Sequence, residues 1–130
     1  MTTNHVVIWI DHKEAHLLYF DPSLNELIKS HSNHPHLHHK SNVIGSGKAP
    51  EDKRYFHNVI SAAAKSNEIL IMGPGLAKTE FHKFVVIHEP ILSKKIIGIE
   101  TCDHPTDHQI VAFAKKYFQR ADHLLPIADN

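Results

Sequence analysis

A chain of 130 residues and 14.8 kDa has the size of one domain and lacks the length for a second independent core, so residues 1–130 are read as a single domain. Hydrophobic residues at 42%, charged residues at 22%, 5 Gly and 7 Pro exclude collagen, coiled coil and a wholly disordered chain. Fourteen Lys and Arg balance fourteen Asp and Glu, which excludes nucleic-acid binding through net charge alone and requires any anion site to be a local patch. The 14 His would add roughly +3 at pH 7 and roughly +10 at pH 6.

Val6 to Ile10 and Ala15 to Phe20 are β-branched and aromatic runs on either side of Asp11-His12-Lys13-Glu14, the pattern of a β-hairpin. Asp21-Pro22-Ser23 is a second turn, after which Glu26 to Ser32 returns as a third antiparallel strand. Residues 33–50 carry Asn, His, Ser, Gly and Lys with little apolar content and read as a mobile loop, longer than a plain connection needs. Pro50, Glu51 and Asp52 open a helix, since proline suits its first turn and acids suit the positive end of its dipole. Phe56, Val59, Ile60 and Ala63 form one apolar face of that helix, which runs to about Ser66.

Glu68 to Met72 has the continuous apolar character of a strand covered on both faces, and Gly73-Pro74-Gly75 stops it. Ala77, Phe81, Phe84, Val85 and His88 are spaced as a second helix that ends before Pro90. Ile96 to Ile99 reads as another buried strand, and Ile110, Ala114, Tyr117, Phe118, Ala121 and Leu125 as a last helix with Thr106 at its N-cap. The expected fold is α/β, in the ribonuclease H-like order β-β-β-α-β-α-β-α: a mixed five-stranded sheet with helices packed on it, the meander antiparallel and the crossover strands parallel.

Cys102 is the single cysteine, which excludes an internal disulfide and fits a reducing compartment. The polar stretch Met1 to His5 and the short apolar runs lead to the expectation of a cytoplasmic protein, neither exported nor membrane-spanning.

Four segments have chemical potential. If 34–38 is extended, His34, His36 and His38 share one side, and three imidazoles would make a metal site; the alternative is a flexible segment that binds nickel adventitiously. Gly73-Pro74-Gly75-Leu76-Ala77-Lys78 superficially resembles a phosphate loop, yet Ala77 stands where a Walker motif needs glycine, so no nucleotide cofactor is expected. Gly75 and Lys78 remain a weak anion-binding pair at a helix start, beside the plainer reading of two glycines in a tight turn. Asp11 ends a strand where ribonuclease H-like nucleases place a metal-binding aspartate, but no acid follows the strand ending at Gly73; a hairpin-turn role is the plainer reading. Lys29 to Pro50 holds three lysines and five histidines with no acid, and Lys53 and Arg54 extend the stripe. That pattern suits contact with a phosphate backbone, RNA in particular. The candidate RNA-binding residues are His36, His38, His39, Lys40, Gly45, Ser46, Gly47, Lys48, Lys53 and Arg54.

The run Ile69-Leu70-Ile71-Met72-Gly73-Pro74-Gly75-Leu76-Ala77-Lys78-Thr79-Glu80-Phe81 is similar to the strand, glycine-rich turn and helix start of Pelota-like proteins. Leu92-Ser93-Lys94-Lys95-Ile96-Ile97 resembles the segment that leads into their last strand. From about Val6 to Phe118 the chain resembles the middle domain of archaeal and eukaryotic class I release factors and of the ribosome-rescue factor Pelota, as a short bacterial-type relative. In release factors a basic run, Gly-Gly-Gln and an Arg-rich helix stand where this chain has His38-His39-Lys40, Gly45-Ser46-Gly47 and the helix from Pro50. The tip continues as Lys48, and the glutamines, Gln109 and Gln119, lie far away, so the resemblance implies a Pelota-like role rather than peptide release.

The resemblance and the basic stripe together imply a non-catalytic, translation-associated protein that binds the ribosome, rRNA or tRNA, needs no cofactor, and leaves a homodimer open. The alternatives are a residual peptidyl-tRNA hydrolase, a metal-dependent nuclease at Asp11, or a histidine-rich metal-binding module.

Overall fold

The computed structural model describes residues 5–30 and 50–124. In chain order they form strands β1 (His5–Ile10), β2 (Glu14–Tyr19) and β3 (Glu26–Lys29), helix α1 (Pro50–Ala63), strand β4 (Glu68–Gly73), helices α2 (Ala77–His88) and α3 (Pro90–Ser93), strand β5 (Ile96–Thr101) and helix α4 (Asp107–Leu124). The expected α/β fold with a mixed five-stranded sheet is present, in the order β3-β2-β1-β4-β5. β1 is antiparallel to β2 and parallel to β4, and β4 is parallel to β5.

Alternation along the strands sends side chains to both faces, and both are covered. Val6, Ile8, Ile10, Leu17, Ile69 and Ile71 pack against Phe56, Val59, Ile60 and Ala63 of α1, Phe81 and Val85 of α2, and Leu92 of α3. On the opposite face Val7, Trp9, Leu18, Leu70 and Met72 meet Ile110, Ala114 and Phe118 of α4. The apolar stripes that mark these helices in the sequence are the surfaces they bury. At the amino ends of β1 and β4, His5 and Glu68 stand opposite in register and meet at 3.0 Å, buried and without hydrogen-bond alignment.

Four elements depart from expectation, the first being α1, which stops at Ala63, short of about Ser66. β5 is half-buried rather than buried, because it forms an edge and extends two residues beyond Ile99. α3 is an additional single turn: Pro90 ends α2 and then occupies the first turn of a new helix, where its fixed φ and missing N–H cost nothing. β3 stops at Lys29, short of the expected Ser32. The expected loop at 33–50 lies outside the described residues up to position 49, as does the tail from Leu125.

Candidate nucleic-acid interface

Asp11, at the carboxyl end of β1, organises one end of the sheet. Its Oδ1 accepts the backbone N–H groups of Lys13 at 2.8 Å and Glu14 at 2.9 Å, and its own N–H donates to the Glu14 carbonyl at 3.1 Å. The carboxylate therefore closes the hairpin as an Asx turn, the plainer of its two expected roles. Among the described residues no three of His, Cys, Asp and Glu are grouped to hold a metal ion.

Two further bonds bring the rest of the chain to this hairpin. The Ser30 N–H, just past β3, donates to the Lys13 carbonyl at 2.8 Å, and the Tyr55 hydroxyl of α1 donates to the Asp11 carbonyl at 2.9 Å. Both anchors of residues 31–49 thus lie at one end of the sheet, where Lys13 at the hairpin tip and Lys53 and Arg54 on α1 are exposed. The other sequence candidates, His34, His36, His38, His39, Lys40, Gly45, Ser46, Gly47 and Lys48, lie outside the described residues.

Asp11, His12, Lys13, Glu14 and His104 surround an open cleft of about 460 Å³ at the same end. His12 reaches across to α2, with Nε2 3.2 Å from Glu80 Oε1. Trp9, 3% exposed, donates from Nε1 to the Asp103 carbonyl at 2.8 Å and lies under the His104 ring, centroids 4.7 Å apart. His16 sits between two carboxylates, with Nε2 2.7 Å from Glu14 and Nδ1 3.2 Å from Asp107. Lys13, His12 and His104 are exposed on the rim of this cleft, His12 being engaged with Glu80.

The glycine turn after β4 does a different task. Gly73 has φ +153° and Gly75 φ +59°, conformations that glycine adopts at no steric cost. Lys78 is 7% exposed, and its ammonium donates back to the Gly75 carbonyl. Cys102 closes the far side, its N–H donating to the Gly73 carbonyl at 3.0 Å. Burial raises its thiol pKa above the ordinary value, against smaller lowering effects from Trp9 and the Gly73 backbone.

Sequence reading alone missed Lys13, His12 and His104 as companions of the basic stripe. They read as turn and helix-start residues because only the β2–β3 register and the Tyr55 bond reveal that the stripe is anchored beside them. Among the described residues no helix is long and apolar enough to cross a membrane.

No family model matches the chain. A Pelota homolog from Thermococcus gammatolerans is 36% identical over 57 residues, which cover 39% of this chain and 16% of the archaeal protein. The Pelota protein of Thermoplasma acidophilum superposes with a TM-score of 0.52 at 21% identity, over 80% of this chain and 30% of that one. Archaeoglobus fulgidus Pelota superposes at 0.58 and 16% identity, over 89% and 32%. Dom34 of S. cerevisiae, a translation termination-like factor involved in RNA quality control pathways and interacting with Hbs1, does so at 0.51 and 10%, over 78% and 29%. The chain spans about a sixth of the length of the curated relative and about a third of the two Pelota structures. The expected resemblance to Pelota is present, in sequence and in fold.

Proposed function

We propose that this protein is a translation-associated factor that binds the ribosome through rRNA or tRNA contacts and acts without catalysing peptide release. The observation that carries the reading is the common anchorage of residues 31–49: an acid-free segment with two lysines and five histidines departs from Ser30 and returns at Pro50, beside exposed Lys13, Lys53 and Arg54. Phosphate contact needs cations on one surface, and the bonds that hold Ser30 and the start of α1 at the hairpin end of the sheet support that reading. The Pelota-like sequence and the fold shared with Dom34 support a ribosomal setting. The tip sequence Gly45-Ser46-Gly47-Lys48 lacks the glutamine that places water in peptide release.

His36, His38, His39, Lys40, Gly45, Ser46, Gly47, Lys48, Lys53 and Arg54 form the contact in this reading, with Lys13 added from the structure. Gly75 and Lys78 contribute a turn rather than a ligand, since the ammonium is already engaged. The test is co-sedimentation of purified protein with ribosomes at rising salt. Wild type is expected in the ribosomal fraction at low salt and progressively lost, and a variant with Lys40, Lys48, Lys53 and Arg54 replaced by Glu is expected to stay in the supernatant. A wild type that never pellets with ribosomes, from growing or starved cells, overturns the reading.

A further inference from the structure

A second cavity lies away from the hairpin, where the sheet is left partly bare. Ile110, Ala114 and Phe118 seat α4 over the central strands, so the same face of β2 emerges from under the helix at its carboxyl end. Phe20 is 41% exposed there. On α4, His108, Val111, Ala112 and Lys115 follow at i, i+3, i+4 and i+7 and form one wall, opposite Phe20 and Pro22. The groove between them has a volume of about 420 Å³, within the ~300–1,000 Å³ range of small-ligand sites.

Its charge is divided between two ends, Lys115 at one and the Asp107 carboxylate at the other. Lys115 Nζ lies 5.5 Å from the centroid of the Phe20 ring, and among the described residues no carboxylate pairs with it. The acid at the groove's end, Asp107, already faces His16 Nδ1 at 3.2 Å. A ligand here therefore meets apolar walls, the Lys115 cation at one end and, at the other, the Asp107 carboxylate, whose His16 partner is shared with Glu14. A nucleobase fits poorly, because Phe20 already has a parallel stacking partner in His5, centroids 5.3 Å apart and planes at 7°, as well as the Lys115 ammonium.

The geometry points to a binding site for a small apolar anion, an aromatic or aliphatic body with a single acidic group, its body along Val111 and Ala112 and its charge at Lys115. The groove opens at the carboxyl end of β2, whereas the proposed RNA contact lies at the hairpin, with the Asp107–His16–Glu14 contacts between them.

The probes are 1-anilinonaphthalene-8-sulfonate and its uncharged counterpart N-phenyl-1-naphthylamine, titrated by fluorescence against the full chain and mapped by amide NMR shifts. Saturable one-site binding of the sulfonate is expected, with shifts at Phe20, Asn25, Val111, Ala112 and Lys115. Lys115→Gln should weaken the sulfonate about fivefold, the upper range of an exposed ion pair, and leave the uncharged probe unchanged. Ala112→Glu, at an exposed helix position, should abolish both without altering the fold as judged by the remaining amide shifts. Shifts centred elsewhere, such as on exposed Ile87 and Ile91, or equal effects of Lys115→Gln on both probes, overturn the proposal.

Discussion

At Gly73 two constraints coincide: φ is +153°, and a Cβ would stand 2.2 Å from the Ile10 carbonyl oxygen, a backbone atom with no room to withdraw. Gly75 has φ +59° with open space around the missing Cβ. Gly73→Ala is therefore expected to cost about 3 kcal/mol, from an unfavourable backbone plus displacement of β1, and Gly75→Ala about 1 kcal/mol from the backbone alone. Urea unfolding of the two variants checks the ranking, and equal midpoints would show that the contact with Ile10 is relieved at no cost. The role of the glycines as a strand-to-helix turn is legible in the sequence, whereas the approach of β1 to Gly73 is not, because it depends on the parallel pairing of distant strands. Cys102, Tyr19 and Tyr117 share a second property: burial is the leading cause that raises each pKa above its ordinary value. Raised pKa values favour the protonated folded form, so their contribution to stability is full below the unfolded values of 9.0 and 10.0 and is lost as pH rises through the folded ones. Denaturation midpoints should fall on the alkaline side, and Cys102→Ala should remove the earliest part of the fall. The same burial predicts slow alkylation of Cys102 by iodoacetamide at neutral pH in the folded protein, faster in urea; equal rates would count against a protected thiol.

The start of α4 shows how an element is specified locally. Thr106 Oγ1 accepts the Gln109 N–H at 3.1 Å, and Gln109 Oε1 accepts the Thr106 N–H at 3.0 Å, a reciprocal capping box. Thr106→Ala should cost about 1 kcal/mol and Thr106→Ser little, read by thermal unfolding and by amide exchange in the first turn of α4. Unchanged exchange in Thr106→Ala would mean that the Asp107–His16 contact holds the helix start by itself. Thr106 is recognisable as an N-cap from its position before the apolar stripe, and Gln109 three residues later completes the motif. Most element boundaries were legible for the same reason, since apolar period, proline and glycine each act within a few residues. α3 was not, because a single turn has too few positions for a period to register. The half-burial of β5 is not legible, because Ile96-Ile97-Gly98-Ile99 is as apolar as a central strand. Its edge position follows from strand order, and Gly98 brings it against α4, where a Cβ would meet the Tyr117 hydroxyl at 2.0 Å.

For the whole molecule, the decisive step is the gathering of cations that are far apart in sequence. Lys13, Lys53 and Arg54 belong to a hairpin and a helix separated by an intervening strand and residues 31–49, and composition alone gave a stripe with no surface to place it on. The bonds from Ser30 to Lys13 and from Tyr55 to Asp11 bring the hairpin and the start of α1 to one end of the sheet, where the proposed contact lies. They also allow the RNA-binding reading to be tested through residues whose side chains lie outside the core. Each cation that neutralises a phosphate contributes about 0.7 to the slope of log affinity against log salt for single-stranded RNA. Lys53→Gln with Arg54→Gln should reduce that slope by about 1.4, and Lys13→Gln should remove a further ~0.7. All three side chains are exposed, so the unfolding midpoint should barely move. Replacing Lys83, an exposed cation of α2 outside the proposed contact, should leave the slope unchanged. A slope lowered equally by Lys83→Gln would mean that RNA senses only the protein's total charge, and an unchanged slope in the Lys53, Arg54 and Lys13 variants would remove this end of the sheet from the contact.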